Sequence, residues 1–166
     1  MATQLTADDA KQSLTAHVEA KGAEIFAKYG PQIGRQELLA MMEDRSCVRY
    51  PCSIEFDSSR LQPGEVAYPE PKGSLPEEGF TLFVHPAFES RPSMVPYLIL
   101  YQLVVVNYGE FASSGDAEAF AAAALGLDRE LYYQVLCSLA DELGGPPDTG
   151  DGDAAGHAHA GCTCGG

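Results

Sequence analysis

The chain contains no tryptophan and only 10 lysines and arginines, against 24 acidic residues, for a formal net charge of −14. Phosphate-backbone binding needs clustered Lys and Arg, so this scarcity of cations excludes a nucleic-acid partner. It argues equally against docking on an anionic membrane surface. Long apolar runs are missing too. The most apolar stretch is Met94 to Val106, "MVPYLILYQLVVV". A helix over 93–108 would be about 24 Å long, short of the ~30 Å hydrocarbon core. It reads as a buried core helix, not a membrane span. The opening residues "MATQLTADDAKQSL" have no basic region followed by an apolar run, so no signal peptide is expected. The sequence has no G-x-S-x-G, no P-loop and no G-x-G-x-x-G.

What is present suits a folded domain. The chain has 166 residues, 45% of them hydrophobic, enough for one ordinary core. Cysteines 47, 52, 137, 162 and 164 make an odd number without a secretion signal, which predicts reduced thiols and a cytoplasmic setting. Cys47 and Cys52 lie five apart, on opposite faces of a regular strand, which argues against a local bridge.

The hydrophobic period divides the chain. Thr6 and Asp9 resemble a capping box, and Leu14, Val18, Ile25, Phe26 and Tyr29 form one helical face ended by Gly30-Pro31. A second helix is predicted over 35–45, with Leu38, Leu39 and Met42 inward. The period then changes to two: Val48, Tyr50, Cys52, Ile54 and Phe56 alternate with polar residues or Pro51. Pro51 lacks an N–H and points to an edge strand or bulge. The segment 58–79 is rich in Pro and Gly, with room for a short strand near 65–68. "GFTLFVHPAF" reads as a central strand over 80–84, ended by Pro86. Three helices follow. The first is the apolar one over 93–108; the second has Asp116 as its N-cap; the third has Asp128 as its N-cap and a stripe of Leu131, Val135, Leu139 and Leu143, with Tyr132 and Leu136 alongside. The predicted fold class is α+β: a single globular domain over 1–144, with a small antiparallel sheet flanked by N-terminal and C-terminal helices. Residues 145–166 form an acidic Gly/Ala/His/Cys tail without a large apolar residue, expected to be flexible and disordered.

That tail holds the most explicit chemistry. His157, His159, Cys162 and Cys164 fall within eight residues. Imidazole and thiolate are the donors that zinc, copper(I) and, in mixed sites, nickel accept. The spacing is tighter than in structural zinc sites, so the tract suits transient handling of a soft transition metal rather than a rigid finger. Ordering about eight residues at ~1–2 kcal/mol each offsets much of the roughly 10–16 kcal/mol that finger peptides gain from zinc.

Elsewhere the candidates are thinner. His85 closes the second strand and, paired with a core cysteine, would give a hydrolase or thiol enzyme. Cys47, Cys52 and Cys137 all neighbour apolar residues, where buried cysteine is a common small core residue. Gln102 and Asn107 are polar residues in an apolar helix, expected to satisfy local backbone. The 58–79 loop, with Tyr68, Pro69 and Pro71, could be a binding surface.

The order strand, buried helix, short loop, then "DAEAFAAAALGL" resembles the C-terminal part of minimal gluzincin metallopeptidases, over about a third of the chain. In that family the buried helix carries H-E-x-x-H and a following helix supplies a glutamate; Glu118 and Phe120 stand in a comparable stretch. Here Tyr101, Gln102, Leu103, Val104 and Val105 occupy the place of H-E-x-x-H. Two imidazoles and the activating carboxylate are therefore missing. The resemblance implies a degenerate scaffold reused for binding, with an unknown protein partner. The sequence as a whole leads to the expectation of a cytoplasmic binding or accessory protein, without enzymatic activity, whose tail handles a metal.

Overall fold

In the computed structural model, residues 6–144 are described; the 145–166 tail, with all four proposed metal ligands, lies outside them. The element order is α1 (Ala7–Tyr29), α2 (Arg35–Glu43), β1 (Cys52–Phe56), β2 (Ala67–Pro71), β3 (Phe80–Val84), α3 (Val95–Tyr108), α4 (Ser114–Leu125) and α5 (Arg129–Gly144). The described residues form an α+β fold of five α-helices and a small three-stranded sheet, with α3 lying on the sheet.

Local chemistry sets most helix ends. Thr6 Oγ1 accepts from the Asp9 N–H at 3.1 Å while Asp9 Oδ2 accepts from the Thr6 N–H at 2.9 Å, closing the predicted capping box of α1. At α4 the N-cap is Ser113, not Asp116. Asp116 sits at the third helical position, and its carboxylate accepts from the Ser113 N–H at 2.9 Å. The predicted start was displaced because the box needs both residues, and only the serine is in extended backbone. Asp128 Oδ1 accepts from the Glu130 N–H at 2.9 Å and caps α5 as expected. Gly126 ends α4 in the left-handed region at φ 69°, where a side chain would be strained.

Helix α3 is the central element. Leu98, Ile99, Leu100, Leu103 and Val104 are fully buried, and the core extends from it to Val18, Leu38, Leu82, Phe120 and Tyr132. Among the described residues no helix is long and apolar enough to cross a membrane. Helix α1 packs chiefly on α4. That contact is possible because α4 presents alanines and α1 presents Gly22. A Cβ at Gly22 would lie 2.5 Å from the Phe120 carbonyl oxygen. Thr15 Oγ1 donates to Asp116 Oδ1 at 2.6 Å and pins the same pair of helices.

Two inward faces differ from expectation in part, each at one leucine. In α2, Leu38, Met41 and Met42 are buried, whereas Leu39 is 47% exposed. In α5, Tyr132, Leu136 and Leu139 are buried, whereas Leu131 is 48% exposed. In both helices the tertiary neighbours rotate the buried stripe by about one residue. Tyr132 takes the core place, its ring stacked on Tyr97 at 6.2 Å and its hydroxyl donating to the Tyr97 carbonyl at 2.6 Å.

The sheet is mixed, where the sequence reading had it antiparallel. Its order is β1-β3-β2: β1 runs parallel to β3, with Cys52 opposite Phe80, and β2 runs antiparallel, with Ala67 opposite Val84. The reason is the path of the chain. The 72–79 turn makes β2–β3 a hairpin, closed by the Lys72 N–H donating to the Gly79 carbonyl at 2.9 Å. The preceding loop carries β2 past β3 to its far side, which leaves β1 to pair on the near side in the same direction as β3. As predicted, β3 is central and β1 is an edge strand. In the β2 register Pro69 faces Leu82 and Pro71 faces Phe80.

Candidate binding pocket

A cleft of about 370 Å³ opens between α1, the α2–β1 connection and the C-terminal end of α3. Its wall is built by Asn107. The Asn107 Nδ2 donates to the Cys47 carbonyl and its Oδ1 accepts from the Arg49 N–H, both at 2.9 Å. The amide is therefore a tertiary clamp, in place of the local cap expected from its position near the helix end. At 8% exposure, with donor and acceptor both engaged, it fixes the connection against α3.

Asp44 holds the other end of the connection. It accepts from the Lys28 ammonium, from Tyr29 Oη at 2.8 Å and from Ser46 N at 3.0 Å. These bonds, led by that from Lys28, hold its carboxyl far below the usual carboxylate range.

Tyr108 forms the aromatic face of the cleft. The His17 ring meets it edge-on at 5.7 Å and the Arg49 guanidinium lies 5.5 Å from its centroid. Burial pushes the Tyr108 phenol up. Lys21, ion-paired to Glu24 at 3.3 Å, and Arg45 complete the polar rim. Ile25 and Phe120 supply apolar floor. The Cys47 thiol also lines the cleft, and its pKa is raised, mainly by burial and further by the Asp44 charge. A catalytic thiolate would need the opposite shift.

The other sequence candidates lie apart. His85 Nδ1 accepts from the Ala87 N–H at 3.1 Å, capping the short turn after β3. Its ring lines a different cavity, with Ser58, Gln62 and Leu143. Cys52 is registered with Phe80, five positions back along β3 from His85, or roughly 16 Å at ~3.3 Å per residue. Burial pushes the Cys52 thiol up to about 11. Cys47 lines the first cleft, with His17 and not His85. Cys137 is buried on α5.

Gln102 is buried at 4% in α3. Glu118 accepts from Arg129 at 3.3 Å, and Phe120 is core. Among the described residues no group of three or more His, Cys, Asp or Glu is placed to hold a metal ion. The cleft itself was missed in the sequence. Its parts come from positions 17–25, 45–49 and 107–120, and the only local signal was Arg45 and Arg49 bracketing Cys47.

The fold and cleft define an α+β domain with a preformed small-molecule-sized cavity. No family model, curated protein or solved structure matches the chain.

Proposed function

We propose that the protein is a non-enzymatic cytoplasmic binding or accessory protein. Its domain holds a small ligand in the Asn107 cleft, and its tail takes a soft metal ion through His157, His159, Cys162 and Cys164. The observation that carries the domain's role is the Asn107 clamp. Two hydrogen bonds at 2.9 Å tie the 45–49 wall to the end of α3, so the cleft needs little further ordering to bind. The volume falls in the range of small-molecule sites. Among the described residues, the upward shift of the free thiols Cys47 and Cys52 favours binding over thiol catalysis.

The tail is supported by its donor set alone. Zinc, copper(I) and nickel are the ions it fits. The test is a metal titration of the reduced full chain beside a Cys162→Ser/Cys164→Ser variant. The wild type should bind one ion, more weakly below neutral pH because the thiols must ionise. Equal affinity in the two proteins would refute the tail assignment. For the cleft, amide chemical-shift mapping against a small-fragment set should give shifts clustered on His17, Arg49 and Tyr108; shifts scattered over the surface would refute a ligand site there.

A partner-binding role is the second reading. The outer edge of β1 and the exposed Leu39 border a groove lined by Ile54, Phe56 and Val95. Concentration-dependent sedimentation of the metal-free protein would favour it.

A further inference from the structure

The charges around the cleft run against those of the rest of the molecule. Over the whole chain acidic residues outnumber Lys and Arg by 24 to 10. Around the cleft the ratio inverts: Lys21, Arg45 and Arg49 stand against Glu24 alone. Three of the ten cations thus gather at one cavity, Lys21 from α1 and the two arginines from the α2–β1 connection.

Helix capping explains part of this placement. Arg45 Nη1 donates to the Met42 carbonyl at 2.9 Å, at the end of α2, and Arg49 Nη1 to the Asn107 carbonyl at 3.4 Å, at the end of α3. A guanidinium has five N–H donors, and each of these bonds uses only Nη1. Among the described residues neither arginine has a carboxylate within ion-pair distance, whereas Arg60, Arg91 and Arg129 each do. In so acidic a protein, two arginines without a counterion beside a cavity leave a local excess of positive charge and unspent forked donors.

We infer that the cleft takes a small phosphorylated compound, its doubly charged oxyanion held between Arg45, Arg49 and Lys21 and its organic body laid on Tyr108. Forked guanidinium donors match the oxygens of a phosphate monoester better than a point charge does. The Tyr108 face and the Ile25 and Phe120 floor suit a flat or apolar body more than a bare ion. The surrounding acidic surface repels anions at long range, so affinity comes from the short-range forks.

The inference rests on the cleft being a ligand site and names what that site selects. Phenyl phosphate, benzoate and benzyl alcohol would be titrated into the full-length protein, followed by amide shifts and calorimetry. Phenyl phosphate should bind at His17, Arg49 and Tyr108, at least about tenfold more tightly than benzoate, as one further charge-assisted hydrogen bond provides. Arg45→Gln/Arg49→Gln should weaken it by about tenfold or more, and Arg91→Gln, at the opposite end of α3 from the cleft and paired with Glu142, should leave it unchanged. If the arginine pair is needed for folding, Lys21→Gln replaces it as the decisive variant, since among the described residues Lys21 pairs only with exposed Glu24; a loss of about threefold is expected. Benzyl alcohol or benzoate binding in the cleft as well as phenyl phosphate would overturn the ligand class and leave the ligand site standing. No cleft shifts with any probe would overturn both.

Discussion

Asn107 and Cys47, 60 positions apart in sequence, are joined by a 2.9 Å hydrogen bond from the asparagine amide to the cysteine carbonyl. The same amide receives the Arg49 N–H. Asn107→Ala leaves a carbonyl and an N–H without these partners, and should destabilise the fold by about 2–3 kcal/mol. Asn107→Asp keeps the acceptor but loses the donor, so it should also be harmful despite near-identical shape. Urea denaturation gives the answer; a change under ~0.5 kcal/mol in both variants would mean the clamp does not bear on stability.

Gly22→Ala should destabilise even though alanine is the better helix former. Propensity favours the change by ~1 kcal/mol. The new methyl, however, would sit 2.5 Å from the Phe120 carbonyl oxygen and 2.8 Å from Ala123 Cβ, both on or next to backbone. Overpacking costs about 1–3 kcal/mol, and contact with main chain places it at the upper end. A melting temperature several degrees lower is expected; a higher one would show that α1 and α4 separate freely.

Acid should loosen the same contact. Burial alone would raise the Asp116 pKa, but bonds from the Ser113 N–H, the Thr15 hydroxyl and the Ser113 hydroxyl outweigh it and hold the value below 3.8. Asp44 is lowered as well, first by Lys28 and then by Ser46 and Tyr29. A folded-state value below the unfolded one stabilises above the unfolded value and is lost as pH falls through the folded value. Stability should therefore hold from neutral pH to about 4 and fall below it. Asp116→Asn should show a shallower loss on thermal melts between pH 7 and 2.5; an unchanged slope would count against the linkage.

The free thiols of the described residues, Cys47 and Cys52, should be slow nucleophiles. With its pKa pushed up to about 11, Cys52 is thiolate at only about one part in a thousand at pH 8. Cys47 is raised too, and more open to the cleft. Iodoacetamide at pH 7.5 with peptide mapping should label Cys47 slowly and Cys52 more slowly still. Rapid labelling of either would contradict the electrostatic picture and reopen thiol chemistry.

Helices were legible where the deciding signals were local. Thr6 with Asp9, Gly30-Pro31 and Asp128 mark ends within a few residues of themselves. Ser113 and Asp116 are both good caps, and only backbone conformation chooses between them. At Leu39 and Leu131 a periodic stripe leaves its rotation open by one residue, and tertiary packing settles it. Strand direction was not legible: alternation in 48–56 reveals a half-buried strand but carries no information on its neighbour. The cleft depended on distance, since Asn107 meets Cys47 and Arg49 only once the sheet is in place. The four tail residues could be read as donors from composition, and they lie outside the described structure.

The two prolines of β2 have a consequence beyond their own strand. The Lys72 to Gly79 and His85 to Val66 hydrogen bonds fix which residues of β2 turn their backbone toward β3. Pro69 and Pro71 fall at the alternate positions, so the ladder loses nothing and the outer margin loses two of its donors. The opposite margin, along β1, keeps its own. Strand addition needs a row of donors and acceptors on the receiving margin, and the two prolines break that row along β2. This margin is therefore a poor template for a further strand.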